Sequence, residues 1–293
     1  MAGSPVVRIQ KLESTDAFVV WDLEEADHSV GIARLAPKIL QEGAEMLARS
    51  VTYSFAAFGV KASGASAGIN AKPDARDAAI AAFVGELESP ASSRALALHA
   101  GNGLSDTDLA PLSHSEFAPL TDDELAAYSA VAATEAILGS LSDKTVAVVG
   151  TGPVVDAAAI ALGDKGANVN DGGLDAPVDA LLVAGKSGVI DHETADGVKA
   201  GAVVPLTPIP VTAKAYAVFR RAGITYVPDF IALAAPLLAA FDAQHETEPV
   251  DRVREMVIEL VPHGPDAWLV AAGLAEGFLS TWQPSLPFGR PLA

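Results

Sequence analysis

The residues best placed for chemistry lie in Lys144-Thr-Val-Ala-Val-Val-Gly150-Thr-Gly152-Pro153. The apolar run has the character of a strand buried on both faces, the glycines make a tight turn, and Val154 to Leu162 has helical spacing. Glycines there let backbone approach a pyrophosphate, and the helix start offers it free N–H groups. The third glycine of the G-x-G-x-x-G fingerprint is Val155 here. Asp171, near the expected end of the next strand, is in place to hold a ribose hydroxyl. Gly150, Gly152, Pro153 and Asp171 are therefore the candidate dinucleotide-binding residues; an ordinary βα turn is the alternative.

Two further matches carry less. Gly64-Ala-Ser66-Ala-Gly68 fits the hydrolase pattern G-x-S-x-G, which requires a strand, a sharp turn and a helix; here a helix-like segment precedes and Pro73 follows. Val183-Ala-Gly185-Lys186-Ser187 resembles a phosphate loop with Ala180 at the required first glycine. Lys186 follows a buried strand, where parallel sheets place ligands, and so is a candidate for an anionic group; a solvated loop lysine is the plainer reading. The six histidines (His28, His99, His114, His192, His245 and His263) show no i+3 or i+4 pairing, so no metal site is expected.

Composition bounds the rest. A chain of 293 residues, half of them hydrophobic, can bury a substantial core in one large or two moderate domains. The net charge of −18 and the absence of any basic stripe argue against nucleic acid. Without cysteine there is no disulfide, thiolate metal site or cysteine nucleophile. No apolar run is long enough to span a membrane, and the first residues lack the pattern of a signal peptide, so a cytoplasmic location is expected.

The first third reads as strands (Asp16 to Asp22, Ser29 to Leu35) around an acidic turn, then a helix from Pro37 broken by the Gly- and Ser-rich stretch Gly59 to Asn70. A second helix is expected over Ala75 to Leu87, and a long Ala-rich one over Asp122 to Leu141 after a polar connection. Beyond Ser142, short strands at Ala167–Val169, Val178–Ala184, Gly201–Leu206 and Ile224–Val227 alternate for the most part with helices, the pattern of a parallel sheet. Two closing helices, Val250 to Leu260 and Pro265 to Trp282, are expected to pack back on the first domain. The expectation is a two-domain α/β protein: residues 1–140 with 250–293, and a Rossmann-type domain over 141–249.

Several segments, in order, resemble the glutamate/leucine/phenylalanine/valine dehydrogenase family. Leu141 to Gly152 is similar to its cofactor-domain entry, and Gly223-Ile-Thr-Tyr-Val-Pro-Asp-Phe-Ile-Ala232 to its late strand and loop. Leu47 to Gly59 and Ser63 to Ile69 resemble its substrate-domain signature, closest to the leucine-dehydrogenase branch. The resemblance spans Ser29 to Asp242 and implies NAD or NADP as cofactor, a small-molecule substrate and a homo-oligomer built through the first domain.

Departures from that family accompany the matches. Its substrate-carboxylate lysine corresponds to Ser54, its catalytic lysine to Ser66, and its proton-transfer aspartate to Asn102. Serine brings no charge and asparagine does not titrate, so ordinary amino-acid deamination is expected to be crippled. His99 is the candidate replacement proton carrier, and Lys61 and Lys72 the candidate replacement cations. A cleft between the domains, lined by Lys61, Ser66, His99, Asn102 and Lys186, is the expected pocket. Only nine residues, Asn170 to Val178, separate two strands, so one crossover helix is expected to be missing. Pro208, Ile209, Leu233, Ala235 and Pro236 stand where the family has cofactor-facing asparagines and glycines. The competing expectations are an NAD(P)-dependent oxidoreductase on a small carbonyl, imine or hydroxy compound, a non-catalytic descendant with a binding or structural role, and a serine hydrolase using Ser66.

Overall fold

The computed structural model describes residues 7–23, 26–88, 95–112, 122–241, 248–286 and 289–293. His114 and His245 lie outside these. The chain divides into two compact units, Met1–Thr121 with Ala275–Pro291, and Asp122–Leu274 with Leu292–Ala293.

The first unit is built on a five-stranded mixed sheet: β1 (Arg8–Lys11), β2 (Ala17–Trp21), β3 (His28–Ala36), β4 (Ser63–Asn70) and β5 (Ala95–Ala100), in the order β1-β2-β4-β3-β5. β2 runs antiparallel to β1 and β4, whereas β3 is parallel to both β4 and β5. The two strands expected around the acidic turn are thus not neighbours, because β4 lies between them. Between β3 and β4 runs helix α1 (Gln41–Ala57), and α2 (Arg76–Leu87) follows β4.

Strand alternation assigns the two faces of this sheet. Val19, Trp21, Ala33, Leu35, Ala65, Ala67, Ile69 and Leu98 point one way and form a core with Ile80, Phe83 and Leu87 of α2. Phe83 has no exposed surface, so truncating it to alanine would cost about 3–5 kcal/mol. On the other face Phe18 and Val20 pack against Ala44 and Ala48 of α1.

β4 corrects the expectation for Gly59 to Asn70. The segment is not an interruption but the central strand of the sheet. Its small residues follow from the closeness of α1: a Cβ on Gly64 would stand 1.8 Å from the Ala48 carbonyl oxygen.

The second unit holds a wholly parallel sheet of β6 (Thr145–Val149), β7 (Asn168–Asn170), β8 (Ala180–Val183), β9 (Ala202–Pro205) and β10 (Thr225–Tyr226), in the order β10-β9-β8-β6-β7. Every residue of β8 and β9 is buried, as the Val- and Ala-rich sequences require. The helices are α3 (Asp123–Leu138), α4 (Pro153–Asp164), α5 (His192–Gly197), α6 (Ala213–Ala222), α7 (Asp229–Ala232), α8 (Ala235–Phe241) and α9 (Pro249–Leu260), with α10 (Ala267–Leu279), whose residues from Ala275 on group with the first unit. Their ends carry ordinary capping chemistry. Thr212 accepts from the Ala215 N–H at the start of α6, and Gly223 closes that helix in the left-handed conformation. The chain passes from β7 to β8 through residues 171–179 with no helix, as the short spacing requires.

The division between units differs from the expected boundary. α3 packs on α4 and α9, so residues 122–140 and 249–274 group with the second unit, and only Ala275–Pro291 joins the first. Among the described residues, no helix is long and apolar enough to cross a membrane, and no group of three potential metal ligands occurs.

Candidate functional sites

In the second unit the strand order reverses between β6 and β8, where successive connections leave in opposite directions and open a crevice at the carboxyl ends of the strands. The Gly150–Gly152 turn lies at that end of β6. Both glycines have positive φ, 127° and 119°, conformations that side-chain-bearing residues adopt only with strain. A Cβ on Gly150 would approach the Ala184 carbonyl oxygen to 2.6 Å, so the glycine lets the β6 and β8 loops meet. A Cβ on Gly152 would find nothing within 4 Å, which leaves open space before the first turn of α4. Pro153 occupies the first turn of that helix, where its missing N–H costs nothing. Asp171 is exposed just past β7, beside the turn made by Asn170 Oδ1 and the Gly172 N–H. The structure therefore gathers Gly150, Gly152, Pro153 and Asp171 around one end of one sheet.

Lys186 follows β8 at the same end and is exposed. The phosphate-loop likeness does not extend to geometry. Thr207 Oγ1 accepts from the Gly185 N–H and donates to the Gly185 carbonyl, each at 2.9 Å, so that N–H is already used. The loop after β9 is held inward: Ile209, with φ of 52°, donates its N–H to Asp229 Oδ2 at 3.1 Å, and both residues are buried. With Ala235 and Pro236 also buried, this side of the crevice presents apolar packing.

In the first unit Val20, Ser66, Ile32 and His99 pair successively across β2, β4, β3 and β5. Residues in register point to one face, so these four form a row. Ser66 has no exposed surface, and its hydroxyl donates weakly to the Ile32 carbonyl at 3.4 Å. This corrects the hydrolase reading, because Gly64 to Gly68 lie wholly within β4 and there is no sharp turn to present a nucleophile. Ser54 is likewise buried, its hydroxyl donating to the Ser50 carbonyl one turn back in α1. His99 is buried, and burial pushes its pKa below the ordinary value against a smaller upward pull from Asp106. Asn102 is exposed in the turn beyond β5, where its carbonyl accepts from the Leu35 N–H at 2.8 Å.

The candidate cations are not brought together. Lys61 precedes the amino end of β4 and Lys72 follows its carboxyl end, separated by eight strand residues, which at about 3.3 Å each is on the order of 25 Å. Asn102 lies toward the Lys72 end, whereas His99 is level with Ser66 in the middle of β4, about equally far from both lysines.

Sequence reasoning missed Arg34. Two residues beyond Ile32 on β3, it belongs to the face that carries Ser66 and His99. Its Nε and Nη2 atoms are shielded from solvent and have no hydrogen-bond partner among the described residues. The available signal was a lone arginine inside the otherwise apolar run Val30-Gly-Ile-Ala-Arg-Leu-Ala36.

No family model matches the chain, and no curated protein does at the level of sequence. Among solved structures it is similar to the hetero-hexameric glutamate dehydrogenase of Thermus thermophilus in its leucine-bound form, with 19% identity and a TM-score of 0.74 over 95% of this chain and 89% of that one. It is also similar to L-tryptophan dehydrogenase from Nostoc punctiforme, at 16% identity and a TM-score of 0.69, with 97% of each chain covered. A further glutamate dehydrogenase aligns at 14% identity and a TM-score of 0.74, over 94% of this chain and 84% of that one. The chain has an amino-acid-dehydrogenase-like fold.

Proposed function

We propose that this protein binds a nicotinamide dinucleotide, NAD or NADP, at the carboxyl ends of β6 and β8, and acts as an oxidoreductase on a small carbonyl, imine or hydroxy compound rather than as an amino-acid deaminase. The observation that carries this is the pair of positive-φ glycines ahead of α4 at the point where the strand order reverses. The open space at Gly152 and the α4 start suit a pyrophosphate, and Asp171 suits a ribose hydroxyl. The dinucleotide would supply hydride transfer. The protein's part is to hold it, through backbone N–H groups at the start of α4 and the carboxylate of Asp171. Buried Ser54 and Ser66 offer no cation or titratable group, which argues against deamination. Assembly into a homo-oligomer is part of the proposal; the glutamate dehydrogenase that shares the fold is itself an oligomer, a hetero-hexamer.

Thermal denaturation with NAD, NADH, NADP and NADPH tests it. A ligand bound only by the folded state raises Tm, by an amount set by its concentration over Kd. Lack of a shift with all four would favour the second reading, a non-catalytic descendant. The apolar packing at Ile209, Ala235 and Pro236, where a nicotinamide amide would need partners, is the observation on that side.

A further inference from the structure

Asn102-Gly103 is the one place in the sequence where glycine follows asparagine. Both residues are exposed in the turn beyond β5. Main-chain bonds fix that turn. Gly101 donates its N–H to the Ala33 carbonyl at 2.8 Å, Leu35 donates to the Asn102 carbonyl at 2.8 Å, and Leu104 donates to the Gly101 carbonyl at 3.0 Å. Glycine is required at position 103, which has φ of 82° and where a Cβ would stand 2.1 Å from the Leu35 carbonyl oxygen. The fold therefore keeps beside Asn102 the one residue type that leaves its own backbone nitrogen uncrowded.

That nitrogen is also unoccupied. Among the described residues, neither the Gly103 N–H nor the Asn102 carboxamide has a hydrogen-bond partner. The bond that Leu35 donates to the Asn102 carbonyl polarises the peptide joining 102 to 103, which makes the Gly103 N–H easier to deprotonate. The other asparagines differ. Asn70 Oδ1 accepts from the Ile39 N–H at 2.6 Å, and its Nδ2 donates to Asp16 Oδ1 at 3.2 Å. Asn170 Oδ1 accepts from the Gly172 N–H, a bond that also occupies the nitrogen following Asp171. Asn168 lies within β7 and is followed by Val169, whose branched Cβ crowds the nitrogen.

We propose that Asn102 is a site of spontaneous deamidation, which puts a carboxylate in the turn beyond β5 as the protein ages. The Gly103 nitrogen, having given its proton to hydroxide, bonds to Cγ of Asn102. The Cγ–Nδ2 bond breaks, and Nδ2 takes a proton from water and leaves as ammonia, closing a five-membered cyclic imide. Water then opens the ring. Addition at Cγ breaks its bond to nitrogen and yields aspartate; addition at the main-chain carbonyl yields isoaspartate, with the chain routed through the side chain. One water is consumed, one ammonia is released, and nothing is oxidised or reduced. The new side chain titrates, as asparagine does not. In the isoaspartate form the carbonyl that takes the Leu35 N–H leaves the main chain and a methylene enters it, so the end of the β3–β5 pairing is disturbed. The site stands apart from dinucleotide binding by the second unit, and either can fail without the other.

The test is storage of the full chain at 37 °C, at pH 6 and at pH 9, with peptide mass spectrometry and ion-exchange chromatography at intervals over weeks. Asn102→Gln is the control, because its longer side chain would have to close a less favoured six-membered ring. Asn102 should convert to aspartate and isoaspartate together, and faster at pH 9. Its rate should exceed those of Asn70 and Asn170 by roughly tenfold or more, since each of these must first release a hydrogen bond. Asn102→Gln should stay free of the acidic species. The isoaspartate fraction, separated by ion exchange, should melt roughly 2–4 °C below fresh protein, the loss of about one hydrogen bond. The site is overturned if Asn102 stays an amide in the folded chain, if another asparagine converts as fast, or if aspartate forms without isoaspartate. Acidic species appearing in Asn102→Gln at the wild-type rate would also overturn it. An isoaspartate fraction that melts with fresh protein would overturn the expected damage at the end of the β3–β5 pairing.

Discussion

His99 and Ser66 stand in one row of the first sheet, on β5 and β4, with Ile32 of β3 between them. The row crosses from closed to open ground. Ser66 is wholly covered, whereas Ile32 and Arg34 keep part of their surface. A position that the family resemblance marks for a lysine is therefore sealed in this protein.

Putting lysine back at position 66 should damage the fold rather than restore deamination. The added ammonium would lie in a strand that α1 covers closely, with no acceptor in place. The expected loss is at least about 3 kcal/mol, measured by urea denaturation. A Ser66→Lys protein as stable as wild type that reduces NAD in the presence of an amino acid would refute this.

Gly150→Ala and Gly152→Ala should differ. The first forces a Cβ against the Ala184 carbonyl oxygen as well as straining φ, whereas the second meets only the φ penalty. We expect about 1–3 kcal/mol lost for Gly152→Ala and more for Gly150→Ala, with the dinucleotide-induced Tm shift abolished in Gly150→Ala. Equal losses in stability would mean that the β6 and β8 loops are free to part.

The Asp22–Arg49 pair is shielded on both sides, and burial holds the Asp22 carboxyl above its ordinary range despite the arginine. Arg49→Met should cost about 3–5 kcal/mol at pH 7 by stranding a buried carboxylate. A raised pKa means that the folded state holds the proton more firmly than the unfolded one, so the loss should shrink as pH falls toward 4. Denaturant midpoints at pH 7 and pH 4.5 read this directly, and a constant difference between wild type and variant would count against it.

His99 gives a pH dependence of the opposite sense. Burial depresses its pKa from the ordinary 6.5, so the folded state resists protonation more than the unfolded chain. Its contribution to stability is present above pH 6.5 and is lost as pH falls from there toward the depressed folded value. His99→Gln should flatten this part of the stability profile between pH 7 and 5. An unchanged slope would show that other groups set it.

These residues also show why legibility in the sequence was uneven. β6 was plain because Thr-Val-Ala-Val-Val is β-branched at every position but Ala147, and its turn carries glycines that φ demands. The missing helix between β7 and β8 followed from length alone. β4, Ser-Gly-Ala-Ser-Ala-Gly-Ile-Asn, was obscured because α1 lies too close for the bulky residues that usually signal a strand. β5, Ala-Leu-Ala-Leu-His-Ala, has helix-forming composition, and its pairing with β3 overrides that preference.

The candidate sites divide in the same way. The crevice of the second unit was readable because its central residues, Gly150 to Pro153, are contiguous in sequence. Arg34 left only a faint signal, one arginine in an apolar run, because what sets it apart is that its Nε and Nη2 have no hydrogen-bond partner among the described residues. Lys61 and Lys72 flank one motif, yet an extended strand holds them far apart.

The helix-free passage from β7 to β8 bears on how copies of this chain can meet. β7 is the outer strand on its side of the sheet, three residues long, with asparagine at both ends and Val169 39% exposed. So short a rim offers too few open backbone groups to template pairing with a strand from another molecule. Self-association through this border is thereby discouraged.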